Sequence, residues 1–261
     1  MTKDPSGEPA GAVGATAGAA AEAGLLLPRK RPIQKRSIER FERILSCARE
    51  VLVCHGFESF TFDEVARRAE VPIGTLYQFF ANKYVLVCEL DRQDTAHIVA
   101  ELRVFAQRVP APQWPEFLEE FIDKLASLWR EDPSRRAVWH AVQSTPATRT
   151  TAKATETELV ELIAHVVRTL SGNASEEQRR EIAGILVHTV TTLLNYAVRD
   201  NSEEVFGRTV GEMKRMLIAY LFAVAAGVGP APDYPPNAYA LQLGAGGGGS
   251  AGGDAGGGAA G

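Results

Sequence analysis

Apolar residues recur every three or four positions through most of the chain, which is the spacing of helices that bury one face. No stretch alternates between polar and apolar residues for long enough to indicate a β-strand. The pattern therefore predicts an all-α fold. We expect helices at residues 37–55, 61–69, 72–80, 83–107, 115–130, 133–142, 150–170, 176–199 and 202–226.

Residues at the helix ends support several of these boundaries. Thr61 with Glu64, and Ser175 with Gln178, have the spacing of a capping box, in which each side chain accepts a hydrogen bond from the backbone N–H of the other residue. Gly56 is a natural stop for the first helix, because glycine readily adopts the left-handed conformation that ends many helices.

The segment 61–80 has the pattern of two short helices around a tight turn. Pro72 disfavours a helical conformation at Val71 but suits the first turn of a new helix. Leu76, Phe79 and Phe80 form the apolar face of the second helix. The residues expected to face outward are Ile73, Gly74, Thr75, Tyr77 and Gln78. Such a pair is typical of a helix-turn-helix, whose second helix enters the major groove of DNA.

A resemblance to a known family is carried by the sequence VPIGTLYQFF at residues 71–80, followed by Asn82 and Lys83. This segment is similar to the recognition-helix signature of the tetracycline-repressor (TetR) family. The resemblance covers residues 36–90. It implies an N-terminal helix-turn-helix domain that binds double-stranded DNA, followed by a C-terminal helical domain that binds a ligand and dimerises.

The resemblance also implies roles for individual residues. We expect Gln78 to read a base, because a glutamine amide can bond adenine at two positions. Hydroxyl groups and Lys83 are expected to meet phosphates, which fix the register of the protein on DNA. Many family members carry a polar residue where this chain has Ile73, so one polar contact is expected to be missing. The complete set of expected DNA contacts is Arg36, Thr61, Pro72, Ile73, Gly74, Thr75, Tyr77, Gln78 and Lys83.

Three of these residues have an alternative interpretation that involves no DNA. Thr61 is already explained as a helix cap, Tyr77 could pack its ring on the preceding helix, and Gly74 could permit a close helix crossing. These alternatives stay open on the sequence alone.

The charge distribution favours DNA binding by the N-terminal part of the chain. The whole chain has a net charge of −4, but residues 29–83 carry 11 basic and 7 acidic side chains. Residues 29–36 contain five basic side chains and no acid. Such an arm can lie along phosphates or enter a minor groove, although it could also be a solvated linker.

Composition divides the chain into four parts. Residues 1–28 are rich in alanine and glycine, and residues 229–261 are first rich in proline and then consist almost entirely of glycine and alanine. Neither segment can bury a core, so both are expected to be disordered. The remaining parts are a basic arm with a DNA-binding domain at 29–90 and a regulatory and dimerisation domain at 91–228.

Other chemistries find little support in the sequence. The three cysteines and five histidines have no metal-ligand spacing, so we expect reduced core thiols, no metal site and no cofactor. No Walker loop or GxSxG motif indicates an enzyme. No apolar run has the length of a membrane span or the order of a secretory signal, which predicts a cytoplasmic protein without a membrane partner.

The last two helices are expected to make the protein a homodimer. The resemblance implies that they pair across a two-fold axis into a four-helix bundle, which would match a palindromic operator. Their apolar faces could instead fill the core of a single subunit. The residues concerned are Ile182, Ile185, Leu186, Thr189, Leu193, Val205, Val210, Met213, Leu217 and Tyr220.

The resemblance further implies that an unknown small-molecule effector enters the C-terminal domain and releases a repressor from DNA. A regulator that ignores ligands, or an activator, is the alternative. Aromatic residues with a few polar groups suit such a pocket, although each could also be ordinary core, and no carboxylate cluster identifies a ligand charge. The candidates are Phe105, Phe121, Trp129, Trp139, His140, Gln143, Asn195 and Tyr196.

Overall fold

The computed structural model describes residues 25–106, 114–171, 174–199 and 202–227. Within these ranges the chain forms nine α-helices and no strand, as the all-α prediction requires. The helices are α1 (Lys35–His55), α2 (Phe62–Arg68), α3 (Ile73–Phe79), α4 (Lys83–Ala106), α5 (Trp114–Glu131), α6 (Pro133–Val142), α7 (Pro146–Val167), α8 (Glu176–Ala197) and α9 (Glu203–Ala225).

The largest error in the predicted boundaries concerns α7, which was expected at 150–170. The helix begins at Pro146 because Thr145 caps it: the Thr145 hydroxyl accepts the backbone N–H of Thr148 at 3.2 Å, and the Thr148 hydroxyl accepts that of Thr145 at 3.2 Å. The third residue of a helix with a capping box is usually Glu or Gln. Because Thr148 takes that place here, the sequence did not indicate this capping box.

The two predicted capping boxes have different outcomes. Ser175 and Gln178 form both hydrogen bonds, at 2.8 and 3.1 Å, and begin α8. Thr61 accepts the backbone N–H of Glu64 at 3.3 Å, but the reciprocal half is wrong. The Glu64 carboxylate is instead held by Arg67 and Arg68, which lower its pKa to about 2.

The first core lies among α1, α2, α3 and the start of α4. Phe41 of α1 stacks on Phe80 and meets Phe79 edge-on, with ring centroids 5.2 Å apart in both pairs. The same core continues into α6 and the start of α7, where Val138 and Ala152 are buried. The N-terminal domain is therefore packed on the rest of the protein through apolar contacts.

The second core joins α4, α5, α7, α8 and α9. Helix α4 belongs to both cores, because Leu86 and Leu90 are buried in the first while Val99 and Leu102 are buried in the second. A displacement of α4 would therefore be felt in both parts of the molecule.

The segment before α1 corrects one expectation. Residues 25–28, predicted to belong to a disordered tail, pack on the first core through Leu26, whose backbone N–H donates to the Thr151 hydroxyl of α7 at 3.0 Å. The other parts of the predicted tails, 1–24 and 229–261, lie outside the described residues.

Candidate DNA interface and ligand cavity

The turn between α2 and α3 is built by a Schellman motif. The Val71 N–H donates to the Ala66 carbonyl at 3.1 Å, and the Glu70 N–H donates to the Arg67 carbonyl at 3.3 Å. Glu70 has a φ of 51°, a left-handed conformation in which glycine is more usual. This turn directs α3 away from α2 and sets which of its residues face outward.

The outward face of α3 contains four of the five predicted residues. Ile73, Gly74, Tyr77 and Gln78 are exposed, and Pro72 is exposed just before them. Thr75 is the exception: only 8% of its surface is accessible, so its predicted outward position is wrong. Thr75 lies one turn before Phe79 and shares its buried face.

Two of the expected DNA contacts have packing partners within the protein. The Tyr77 ring lies 5.1 Å from the Phe62 ring of α2, yet 45% of the residue stays exposed. The Lys83 ammonium donates a hydrogen bond to the Phe57 carbonyl at 3.1 Å and lies 4.5 Å from the centre of the Phe57 ring. Thr61 is exposed at the start of α2. Lys83 therefore holds the loop between α1 and α2, besides any contact with a phosphate.

The basic arm is fastened at two points. The Arg29 backbone N–H donates to the Phe79 carbonyl at 2.8 Å, and its guanidinium donates to the Tyr77 carbonyl at 3.1 Å. Arg29 thus caps the C-terminal end of α3. Arg31 forms an ion pair with Glu89 at 2.9 Å. The other basic residues of the arm, Lys30, Lys35 and Arg36, are exposed. The arm is consequently neither a free minor-groove arm nor a solvated linker over its whole length.

An apolar cavity of about 100 Å³ lies inside the C-terminal domain, enclosed by α4, α5, α7, α8 and α9. Its walls are almost entirely hydrophobic, with aromatic side chains from α5. Typical ligand sites have about 300–1,000 Å³, so a larger ligand would have to push these helices apart.

A smaller cavity of about 40 Å³ adjoins the apolar one, and we call it the polar cavity because charged side chains form part of its wall. The two cavities share the walls formed by Ile98, Trp129, Leu159, Val187 and Thr191. The polar cavity adds the charged groups of Asp91, Asp94, Arg135 and Glu156, which come from α4, α6 and α7. The sequence alone indicated no such group, because packing brings these side chains together from three helices.

Three of the eight predicted pocket residues line these cavities. Phe121 and Trp129 face the apolar cavity, and Trp129 and Trp139 face the polar one. Phe105 packs on Phe121, with ring centroids 5.4 Å apart, and lines neither cavity. Asn195 is also buried outside both cavities, where its amide donates to the Thr191 carbonyl at 2.8 Å.

The remaining three predicted pocket residues lie away from both cavities. His140, Gln143 and Tyr196 are exposed and line neither cavity. His140 lies on the side of α6 opposite the buried Val138 and Ala141, and Tyr196 lies on the outer face of α8. Aromatic and polar composition suited them to a pocket, but helix orientation turns them outward.

The carboxyl groups at the polar cavity are electrostatically unusual. The pKa of Asp91 is raised to about 7, chiefly by burial and then by the nearby carboxyls of Glu156 and Asp94. Arg92 and Arg49 lower it by less. Burial also raises the pKa of Glu156. Asp94 differs from these two because it pairs with Arg49 of α1 at 2.9 Å.

The predicted dimerisation residues divide between the inside and the outside of the subunit. Leu186, Val210, Met213 and Leu217 are buried in the subunit's own core. Ile185 is 53% exposed, and its neighbours along the outer face of α8 include Thr192 and the 54% exposed Tyr196. On α9, Met216 and Phe222 are exposed large side chains.

The described ranges contain neither a candidate metal site nor a candidate membrane span. No group of three or more potential ligands among His, Cys, Asp and Glu is arranged to hold a metal ion there. No helix in the same ranges has the length and apolar character needed to cross a membrane. Cys47 and Cys88 are buried free thiols, but Cys54 is exposed, contrary to the expectation of core thiols.

Curated transcriptional regulators are similar to part of the chain. UidR of Escherichia coli K12, an HTH-type transcriptional regulator, is 27% identical over 96 residues, which are 37% of this chain and 46% of that protein. UidR of Shigella flexneri matches to the same extent. The chain thus spans about half the length of the curated relatives it matches.

Solved structures share the fold over most of the chain. The fatty acid degradation regulator FadR from Bacillus halodurans superposes with a TM-score of 0.59 at 16% identity, covering 72% of this chain and 97% of that one. FadR from Bacillus subtilis, solved with stearoyl-CoA, has a TM-score of 0.54 at 18% identity and covers 70% and 98%. A TetR-family regulator from Streptomyces coelicolor has a TM-score of 0.52 at 22% identity, covering 71% and 99%.

Family models match both domains of the chain. Residues 44–90 match the bacterial regulatory proteins of the tetR family, and residues 112–225 match the tetracyclin repressor-like C-terminal domain. The two matches together span more than half of the chain and fall on the helix-turn-helix and on the helices that enclose the cavities. The chain therefore belongs to the tetR family of bacterial regulatory proteins, which are helix-turn-helix transcriptional regulators.

Proposed function

We propose that the protein is a homodimeric transcriptional repressor that binds a palindromic operator in the cytoplasm and is released from it by a small-molecule effector. The observation that carries this proposal is the exposed face of α3, where Ile73, Gly74, Tyr77 and Gln78 project from a firmly packed helix-turn-helix. A recognition helix needs such a face, because its side chains have to reach base edges in the major groove.

The surroundings of α3 suit a polyanion. Lys30, Lys35 and Arg36 are exposed on the arm that is fastened to α3 through Arg29. Basic side chains at the edge of a recognition helix can neutralise phosphates, and each neutralised phosphate releases a counterion. In this assignment Gln78 supplies sequence preference, whereas the lysines and arginines supply affinity without preference.

Dimerisation is supported by the outer faces of α8 and α9. Ile185, Thr192 and Tyr196 lie along one side of α8, and Met216 lies exposed on α9. Apolar side chains grouped on two adjacent helices suit a second copy of the same surface, since two-fold dimers pair identical patches. Two N-terminal DNA-binding domains held in this way would read two half-sites.

Release by a ligand is supported by the contacts between the polar cavity and the N-terminal DNA-binding domain, called the head below. Asp94 lines that cavity and pairs with Arg49 of α1, which also donates to the Ser134 hydroxyl at 3.2 Å. Occupation of the cavity would disturb the contacts that hold α1 against α4 and α6. A ligand that prefers the disturbed arrangement would lower the population that binds DNA. The stearoyl-CoA bound to FadR of Bacillus subtilis fits a fold that takes small molecules.

The proposed function is tested by selecting bound sequences from random duplexes with the purified protein at near-physiological salt. We expect a palindromic motif for the wild type and a changed preference at one position of each half-site for Gln78→Ala. Gln143→Ala is the matched control, because it removes the same side chain from an exposed position directly after the end of α6. An unchanged motif in Gln78→Ala would refute the base-reading role, and no enriched motif for the wild type would refute sequence-specific binding.

A further inference from the structure

We propose that the effector is an organic cation with an apolar body, whose charged group lies between Asp91 and Glu156 in the polar cavity. This inference rests on the proposed release by a ligand and identifies the chemical class of that ligand. The apolar part of the molecule would extend past Trp129 and Leu159 into the adjoining hydrophobic cavity.

The first observation is an excess of carboxyl groups over cationic groups in the lining of the polar cavity. Its lining contains three carboxyl groups, from Asp91, Asp94 and Glu156, and one guanidinium, from Arg135. Carboxylates that line a cavity out of bulk water are costly unless a cation compensates them. The protein supplies too few cations here, so a positively charged ligand would complete the site.

The second observation shows which carboxyls are left without a cation. Asp94 is paired with Arg49 at 2.9 Å, and Arg135 lies between Asp94 and Asp132 at 3.7 and 3.8 Å. The Arg135 guanidinium also contacts the His97 ring nitrogen at 2.7 Å. Its charge is therefore shared among groups of the protein itself. Asp91 and Glu156 have no comparable ion pair among the described residues.

The third observation is a set of polar atoms without partners. The Oδ2 atom of Asp91 is buried and accepts no hydrogen bond within the described residues. The indole Nε1 of Trp129 and the Nε and Nη1 atoms of Arg135 are likewise buried without an acceptor there, although both side chains line the polar cavity. Buried polar atoms almost always have partners, so unpaired atoms at a cavity wall indicate where a ligand or solvent would bind.

The charged environment on every side of the two carboxyls agrees with a cation. Asp91 is influenced by Glu156 of α7, Asp94 and Arg92 of α4, and Arg49 of α1, and the net effect raises its pKa. Glu156 is influenced by His188 of α8, but burial dominates and raises its pKa too. A bound cation would reverse both effects by stabilising the ionised carboxylates.

Aromatic walls provide a further means of recognising a cation. Trp129 and Trp139 both line the polar cavity, and the Arg135 guanidinium already lies 5.6 Å from the centre of the Trp129 ring. An indole face attracts a cation that lies within about 6 Å of its ring centre. An anionic ligand could accept hydrogen bonds from Nε and Nη1 of Arg135, but it would also face the carboxyls of Asp91 and Glu156, which have no ion pair and outnumber that one guanidinium. The structure thus favours an amine or amidine over a carboxylate or phosphate.

Binding is tested with n-alkylamines of four to ten carbon atoms at pH 8, with hexanoate and hexan-1-ol as probes of the wrong charge. We expect the best amine, at about ten times its Kd, to raise the Tm of the full chain by about 3–6 °C. The double variant Asp91→Asn with Glu156→Gln should lose this shift. Glu158→Gln should keep it, because Glu158 is an exposed carboxylate on the same helix that pairs with Arg103.

Three outcomes would overturn the proposal. They are a larger shift with hexanoate than with any amine, an equal amine shift in the double variant, and no amine shift in the wild type. Operator binding without any amine is measured on the same samples and tests the proposed repressor separately. Amine binding that leaves the operator complex intact would uphold the cation site and refute ligand release.

Discussion

At the residue scale, the conformation of Glu70 is a local cost within the helix-turn-helix. Its φ of 51° places a side chain in the left-handed region, where an L-residue other than glycine is strained. The two hydrogen bonds of the Schellman motif hold it there. The turn is therefore stable because of its neighbours, despite the residue at its centre.

This interpretation predicts that Glu70→Gly stabilises the protein. The gain should be about 0.5–1 kcal/mol, because glycine removes the left-handed penalty but loses more entropy on folding. Chemical denaturation measures the free energy of unfolding. Glu70→Ala is the control, since it removes the same carboxylate and keeps the strain. Equal effects of the two substitutions would show that charge, and not the backbone, decides stability at this position.

Asp91 predicts how stability depends on pH. Its folded pKa of about 7 lies above the ordinary value of about 3.9. Between these values the folded state binds a proton that the unfolded state has lost, so the free energy of unfolding falls as pH rises from about 4 to about 7. The groups that set this pKa, besides burial, are Glu156, Asp94, Arg92 and Arg49.

We expect Asp91→Asn to remove this part of the pH dependence. Between pH 5 and pH 8, the free energy of unfolding of the wild type should fall by about 2–4 kcal/mol relative to that of the variant. The Tm of the wild type should fall with it. Asp63→Asn changes an exposed carboxyl on α2 and should follow the wild type. Parallel Tm curves for wild type and Asp91→Asn would mean that Asp91 does not hold a proton at neutral pH.

At the element scale, the start of α7 depends on a cap that also ties it to α6. Thr145 and Thr148 exchange hydrogen bonds, and the Thr148 hydroxyl additionally donates to the Val142 carbonyl at 2.6 Å. Because Val142 is the last residue of α6, this small network fixes the angle between two helices that carry cavity residues.

Thr145→Ala should cost about 1 kcal/mol, the usual effect of losing an N-cap hydroxyl. Urea unfolding should show a lower midpoint with an unchanged slope. Thr150→Ala offers a matched comparison, since its exposed hydroxyl bonds only the Pro146 carbonyl within the same helix, and its effect should stay within about 0.5 kcal/mol. A loss for Thr150→Ala as large as for Thr145→Ala would show that the cap has no special role.

Helix periodicity was sufficient to predict the elements. The bounds of α6 and the Ser175 cap of α8 followed directly from local sequence, because these features depend on residues within one turn of each other. Thr75 was predicted to face outward because its side chain is polar. Its position one turn before Phe79 places it on the buried face of α3 instead. A hydroxyl can be buried when its neighbours on the helix face are.

The polar cavity was missed although the sequence contained a signal for it. On α4, Asp91 lies on the same helix face as Ile98 and Leu102, and on α7, Glu156 lies on the same face as Leu159 and Ile163. An acidic residue within the apolar stripe of a helix is unusual and indicates a buried carboxyl group with a functional role. Sequence could not tell that the two stripes face each other, because this requires the packing of α4 on α7.

At the scale of the whole molecule, two surfaces and one interior have to act together. The outward face of α3 lies in the head, the exposed apolar stripe lies on α8 and α9, and the cavities lie between them. Helix α4 is shared by both cores, so it is the element through which the interior can influence the head. In the proposed function, repression and release are two states of one packing arrangement.

The exposed stripe predicts that Ile185→Arg produces a monomer. A charge at this 53% exposed position would be buried without a partner in the dimer, but remains solvated in the single subunit. Sedimentation at micromolar concentration should give the mass of two chains for the wild type and of one chain for the variant. Val104→Arg, an equally exposed apolar position on α4, should stay dimeric. A monomeric wild type would remove dimerisation from the account.

The central claim is that two copies of the exposed α3 face read a palindrome together. The most direct measurement is the mass and affinity of the complex on the selected operator, compared with an operator in which one half-site is scrambled. We predict two chains on the intact operator and a loss of affinity of at least tenfold when one half-site is scrambled, because half of the base contacts disappear. One chain per intact operator, or equal affinity for both duplexes, would contradict the account.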